Sequence, residues 1–300
     1  MSIATEITRL RNAKAALKES IEAKGVTVED SAKLDEYPAL VDSIPQGGGS
    51  EYTEDEYLTF TAEQDNSSIS LRNSGGNAPI IYYKKNNGDY TLWDYSSISM
   101  NKGDVVKMYG GENNFNFSKS TTVYSKFVMT GKIAASGVTN SLLSRIKTPV
   151  ITPYCYFQLF HDCAALTTAP ELPAIGLADS CYNSMFYNCT ALTTAPELPA
   201  TILGSVCYYQ MFYGCTNLTT APELPATTLI NNCYGYMFCA CTNLNYVKAM
   251  FTTSPSGSYT GNWLYGAATT GTFVKNAAAI WEVSGADGIP TGWTIETATE

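Results

Sequence analysis

The sequence predicts a multidomain α+β chain: an N-terminal helical, coiled-coil-like head, a small antiparallel β-sandwich, and a C-terminal repeat solenoid closed by a cap. Three observations predict it. A nine-residue phrase, Cys155 to Cys163, returns at Cys181–Cys189, Cys207–Cys215 and Cys233–Cys241, each time 26 residues on. A fixed period of that size marks stacked repeats. Before them, short alternating apolar segments separated by turn residues read as strands. At the start, Ile3, Ile7, Leu10, Leu17 and Ile21 follow a spacing of four and three, with Lys14 in the missing slot. That is an a/d stripe.

The head is placed at residues 1–45. Ser2 caps a helix running to Lys24, Glu6 suits its first turn, and Gly25 ends it. Ser31 to Ile44 continues as shorter helices broken near Pro38. The stripe either packs on this following segment or forms a short parallel coiled coil, and both can hold. Residues 46–51 form a Gly-rich linker. Residues 52–131 form the sandwich. Leu58, Phe60 and Ala62 alternate, as do Ile69 and Leu71. Ile80–Tyr83 and Tyr90–Trp93 flank Asn86-Asn87-Gly88 as a hairpin. Residues 132–250 hold the repeats with an N-terminal cap, and 251–300 the C-terminal cap.

Within a repeat, Cys181, Tyr182, Met185, Phe186 and Cys189 fall on one face of a two-turn helix. Pro196 and Pro199 then bound an extended run. Eight of the nine cysteines occupy two fixed repeat positions. The pair within one phrase is more than about 10 Å apart along a helix, too far to bridge. The reading is therefore buried free thiols, with no zinc spacing.

The chain carries a net charge of −9, which argues against nucleic acid or an anionic membrane as partner. From Thr148 to Val247 there is no Lys or Arg, against five acids. Met1 to Gly25 has no apolar core of a signal peptide, and no run of 18 apolar residues occurs. Membrane insertion is not expected.

No catalytic residue, cofactor-binding residue or metal ligand set is assigned. The single histidine, His161, stands where other repeats carry Tyr187, Tyr213 and Cys239, so it is not read as a general base. Two columns remain as candidate surfaces. Phe157, His161, Tyr187, Tyr209, Tyr213 and Tyr236 are candidate receptor-binding residues, because aromatic side chains on a rigid scaffold suit sugar or protein recognition. Glu171, Glu197 and Glu223 are equivalent by repeat and form an acidic edge about 5 Å apart. With no lysine nearby in sequence, that edge is either solvated or cation-binding, Ca²⁺ being the candidate.

The phrase Cys-Tyr-x-x-Met-Phe-x-x-Cys-Thr-x-Leu-Thr-Thr-Ala-Pro-Glu-Leu-Pro-Ala resembles the BspA-like leucine-rich repeat family. Trp263-Leu264-Tyr265-Gly266, Thr270 to Lys275 and Gly288 to Thr294 resemble that family's C-terminal cap, so the solenoid is expected to be a leucine-rich-repeat one. The likeness covers roughly residues 52–300. Asn245-Tyr246-Val247 departs from it, and the array is expected to end there. Residues 3–44 resemble the N-terminal segment of many bacteriophage tail and fibre proteins. Together these resemblances imply a non-enzymatic virion structural protein (tail fibre, baseplate appendage or head fibre), made in the host cytoplasm. Its partners would be its own copies in a homotrimer, other virion proteins through the head, with Ile3, Ile7, Leu10, Leu17 and Ile21 as oligomerisation and docking residues, and a host cell-surface glycan or protein. A bacterial surface adhesin is the alternative, and a glycan hydrolase a more distant one.

Overall fold

The first strands form because apolar and polar residues alternate along them. The computed structural model describes residues 50–298 except 77, 112, 113, 115, 116, 146 and 148–150, together with Lys14 and Lys18. Strand β1 (Leu58–Ala62) buries every second residue, and β2 (Ser67–Asn73) does the same over its first five. They are followed by β3 (Ile81–Lys85), β4 (Thr91–Leu92), β5 (Ile98–Met100), β6 (Val105–Gly110), β7 (Ser125–Thr130) and β8 (Ile133–Ser136). The hairpin expected around Asn86 is present, with Tyr82 opposite Leu92 and Tyr83 opposite Thr91. A short strand β9 (Leu166–Thr168) from the first repeat pairs parallel to β8. The result is a six-stranded sheet in the order β4-β3-β6-β1-β8-β9 and a three-stranded sheet in the order β5-β2-β7. Phe60 of β1 meets Phe127 of β7 at 5.1 Å between ring centroids, so the sheets share a core.

The predicted class, a multidomain α+β chain with a helical head, a sandwich and a leucine-rich-repeat solenoid containing helices, is corrected. The described residues are mostly strand and turn. From residue 50 on they contain one α-helix, α1 (Gly257–Thr260). Residues 1–50 and 51–300 are separate compact units. In the first, Lys14 and Lys18 have helical backbone. The stripe of Ile3, Ile7, Leu10, Leu17 and Ile21 lies outside the described residues.

The repeated phrase is a ribbon of turns. Its amides alternate between two partners. Phe157, Leu159, His161 and Cys163 donate three residues back, to Tyr154, Tyr156, Gln158 and Phe160, at 2.9–3.1 Å. Tyr156, Gln158, Phe160 and Asp162 donate instead to the next coil, to Cys181, Asn183, Met185 and Tyr187, at 2.8–3.0 Å. Every fourth residue is left-handed: φ is 61° at Tyr154, 59° at Gln158 and 63° at Asp162. An α-helix has neither feature. The apolar set Cys155, Leu159, Cys163 has period four, and over nine residues that is indistinguishable from 3.6.

The left-handed positions are filled by Tyr154, Ser180, Val206 and Asn232 at one register. A β-branched side chain is the worst of these, and left-handed backbone costs an L-residue about 1–2 kcal/mol. Val206→Asn, which copies Asn232, is expected to stabilise the fold by about 1 kcal/mol. Urea unfolding followed by circular dichroism reads this, and a lowered midpoint would show that Val206 packing outweighs its backbone strain.

Ring columns fill the coils. Phe127, Phe160, Phe186, Phe212 and Phe238 are stacked at 5.3, 5.4, 5.5 and 5.5 Å. Tyr156, Tyr182, Tyr208 and Tyr234 form a second column at 5.7, 5.9 and 5.8 Å. The nine cysteines are all buried and unbridged. Cys163, Cys189, Cys215 and Cys241 each donate a thiol hydrogen bond to the phenylalanine carbonyl of the preceding layer, at 3.0–3.3 Å. Burial pushes the Cys163 and Cys215 thiols up to about 12, so these are packing groups and not nucleophiles.

No seam separates the sheets from the coils. Ser118, Phe127 and Ile133 donate backbone bonds to Cys155, Leu159 and Ala165 at 2.8–3.0 Å. The stack also continues past Val247, where the sequence predicts its end. Tyr236, Phe238 and Ala240 donate to Gly261, Trp263 and Tyr265 at 2.7–2.8 Å. Strands β10 (Tyr246–Ala249), β11 (Thr272–Lys275) and β12 (Thr294–Thr297) then form a parallel sheet. Trp263, Trp281 and Trp293 close the core, each indole donating to a carbonyl, of Gly288, Phe251 and Ala268. The departure of Asn245-Tyr246-Val247 from the repeated phrase changes side chains, while the inter-coil bonds are made by backbone.

Candidate binding surface

The ribbon turns one side chain per coil outward at the position of His161. Because successive coils are joined amide to carbonyl, these side chains fall directly over one another. His161 and Tyr187 are stacked at 4.6 Å with 3° between planes, and Tyr187 and Tyr213 at 4.6 Å with 4°. All three are half-buried. The faces between successive rings are covered, so the row offers solvent mainly its edges and hydroxyls. This corrects the sequence-level rationale of aromatic faces open for stacking. The chemistry available is a line of hydrogen-bonding groups at rung spacing.

An ionic cluster ends the row. His161 Nδ1 lies 2.7 Å from Asp162 Oδ2, Lys126 Nζ 3.4 Å from the same oxygen, and Asn188 Nδ2 donates to Asp162 Oδ1 at 3.2 Å. Burial holds the His161 imidazole below its usual range, with Lys126 acting the same way against the pull of Asp162. Burial acts upward on Asp162. The Asn188 hydrogen bond and the His161 and Lys126 charges outweigh it, and the carboxyl sits below the usual carboxylate range. At the other end, the neighbouring Cys239 thiol and Tyr187 push the Tyr213 phenol up.

The remaining candidates lie elsewhere. Tyr209 and Tyr236 form an edge-to-face pair at 5.7 Å, and Asn262 Nδ2 donates to the Tyr236 hydroxyl at 3.1 Å. Phe157 is only 5% exposed. It packs against Tyr124 and Tyr154 at 5.7 and 6.1 Å and contributes no binding surface.

Glu171, Glu197 and Glu223 are exposed. Glu223 is paired with Lys248 at 2.9 Å, a lysine 25 residues away in sequence that the next coil brings alongside. The expectation of an acidic edge without a nearby cation is corrected on that point. Both side chains are well solvated, so the pair adds little to stability. Among the described residues, no group of three or more His, Cys, Asp or Glu is placed to hold a metal ion.

Sequence reasoning missed a second aromatic cluster. Tyr57, Tyr82, Tyr90 and Tyr109 pack at 5.0–6.0 Å. The acidic segment Glu51 to Glu56 crosses this region, pairing Glu51 with Arg145, Glu54 with Lys84, Asp55 with Lys107 and Glu56 with Lys147. The Lys147 ammonium and the Thr53 amide bring the Glu56 carboxyl down to about 2. A cleft of about 580 Å³ opens beside Tyr52, Glu56 and Lys147. The only sequence signal is the run Glu51-Tyr52-Thr53-Glu54-Asp55-Glu56-Tyr57, which names no partner.

No protein-family model matches the chain, and neither a curated protein nor a solved structure matches it.

Proposed function

We propose that this chain is a non-enzymatic structural protein of a bacteriophage particle, a tail fibre, baseplate appendage or head fibre, that contacts a host cell-surface glycan or protein through the row His161, Tyr187 and Tyr213. The observation that carries the binding part is the row itself. Three polar-edged rings at 4.6 Å spacing stand on a backbone whose inter-coil bonds hold them in place. A ligand meeting such a row finds donors and acceptors already ordered, which lowers the entropic cost of binding. The phage setting rests on the resemblance of residues 3–44. In this reading the segment carrying Ile3, Ile7, Leu10, Leu17 and Ile21 docks on other virion proteins and joins three copies, and the protein resides in the virion. The non-enzymatic reading draws on the imidazole of His161, which is stacked on Tyr187 and bonded to Asp162, and on the burial of all nine thiols.

The test separates binding from packing. Tyr187→Phe with Tyr213→Phe keeps both stacked rings and removes both hydroxyls. Each lost hydrogen bond is worth about 0.5–1.5 kcal/mol, so losing two is expected to weaken adsorption of the purified chain to host cells roughly 5- to 150-fold. The unfolding midpoint should stay unchanged. Unaltered adsorption would reduce the row to packing.

A further inference from the structure

The far end of the stack presents a strand with one unpaired edge. All four residues of β12 are exposed, and the strand pairs only with β11 among the described residues. Thr294 and Ala298 donate to Gly271 and Lys275 of the β11 side, both at 2.8 Å. Strand amides alternate in direction, so those of Ile295 and Thr297 point away, to the open edge. Native edges are usually blunted by lysine, proline or a bulge, and Thr294-Ile295-Glu296-Thr297 has no lysine or proline. Beside it lies a cleft of about 350 Å³ lined by Val283, Pro290, Trp293 and Ile295. Ile295 is 47% exposed there.

Charge narrows the occupant. From Asn276 to Glu300 there are four acids and no Lys, Arg or His. Asp287 is engaged, accepting from the Asn262 amide at 3.0 Å. Glu282 and Glu296 are exposed, and neither is in an ion pair among the described residues. Lys275 turns to the Trp281 carbonyl at 3.1 Å. We propose that this edge takes up an extended basic segment of a partner protein as an added strand. Its main chain bonds the outward groups of Ile295 and Thr297, an apolar side chain enters the cleft beside Ile295, and Lys or Arg meets Glu296. A second copy of this chain fits worse, because β12 against β12 brings like charges together across the new pair. This surface is separate from the His161 row and does not depend on its reading.

The test uses the full chain and three fluorescein-labelled peptides: Thr-Lys-Val-Lys-Val-Lys-Thr, the same peptide with Glu for Lys, and the Lys peptide N-methylated at alternate amides. Fluorescence anisotropy is expected to show binding of the Lys peptide alone. Thr297→Pro removes an outward donor and leaves the bonds to β11 in place, and should weaken binding roughly tenfold or more. Glu296→Lys should reverse the preference between the Lys and Glu peptides. Equal binding of the N-methylated peptide, an absent charge preference, or no binding of the Lys peptide would each overturn the proposal. So would sedimentation showing self-association that Thr297→Pro abolishes, which would assign the edge to a second copy.

Discussion

Phe186→Ala is expected to lower the unfolding free energy by about 3–5 kcal/mol, the range for deleting a buried phenylalanine ring. Phe186 is fully buried, stacked 5.4 Å from Phe160 and 5.5 Å from Phe212. Its carbonyl also accepts the Cys215 thiol at 3.1 Å. The vacancy cannot collapse easily, because the coils above and below are held at fixed separation by amide–carbonyl bonds. In a stack where each coil touches only its neighbours, losing one interface also uncouples the two ends. Denaturant unfolding should therefore show a lower midpoint and a broader or split transition. Phe186→Leu, which refills most of the space, should recover more than half of the loss. A cost under about 1 kcal/mol would contradict a close-packed column.

Gly137→Ala is expected to be nearly as damaging, about 3 kcal/mol or more. Gly137 has φ of 73°, where an added methyl already costs about 1–2 kcal/mol. That methyl would strike the Tyr57 carbonyl, with the Glu56 oxygen also at 3.1 Å, and both are backbone. Three segments converge here. Val138 donates to Glu56 at 2.9 Å, and Glu171 donates to Gly137 at 2.8 Å. The substitution should raise amide exchange at Val138 and Glu171 together, and lower the melting temperature. Loss of melting temperature without faster exchange at those two amides would place the damage elsewhere.

The hairpin around Asn86 and the alternating strands were legible because a strand's side-chain period is two and nothing else in the chain shares it. The stacking interval was legible because the phrase returns every 26 residues. The conformation of the phrase was not. Cys155, Leu159 and Cys163 suit a helix and a turn ribbon equally, and the left-handed residues Gln158, Ser184 and Gln210 carry no glycine to announce them. The surface row was half legible. Repeat equivalence puts His161, Tyr187 and Tyr213 in one column. Phe157 was read on the same face, but it turns inward, because a ribbon with period four does not present the faces of a helix.

By itself, the sequence determined the stacking of equivalent residues. Covalent spacing alone forces position 187 to follow 161 and 213 to follow 187 in any regular winding. The tertiary structure decided what each column does. The rings lie parallel at 4.6 Å and hide their faces because alternate amides bond to the next coil and set the rung spacing. Lys248 reaches Glu223, and the sheets before the repeats share one core with them, because those contacts join residues that only the winding brings together.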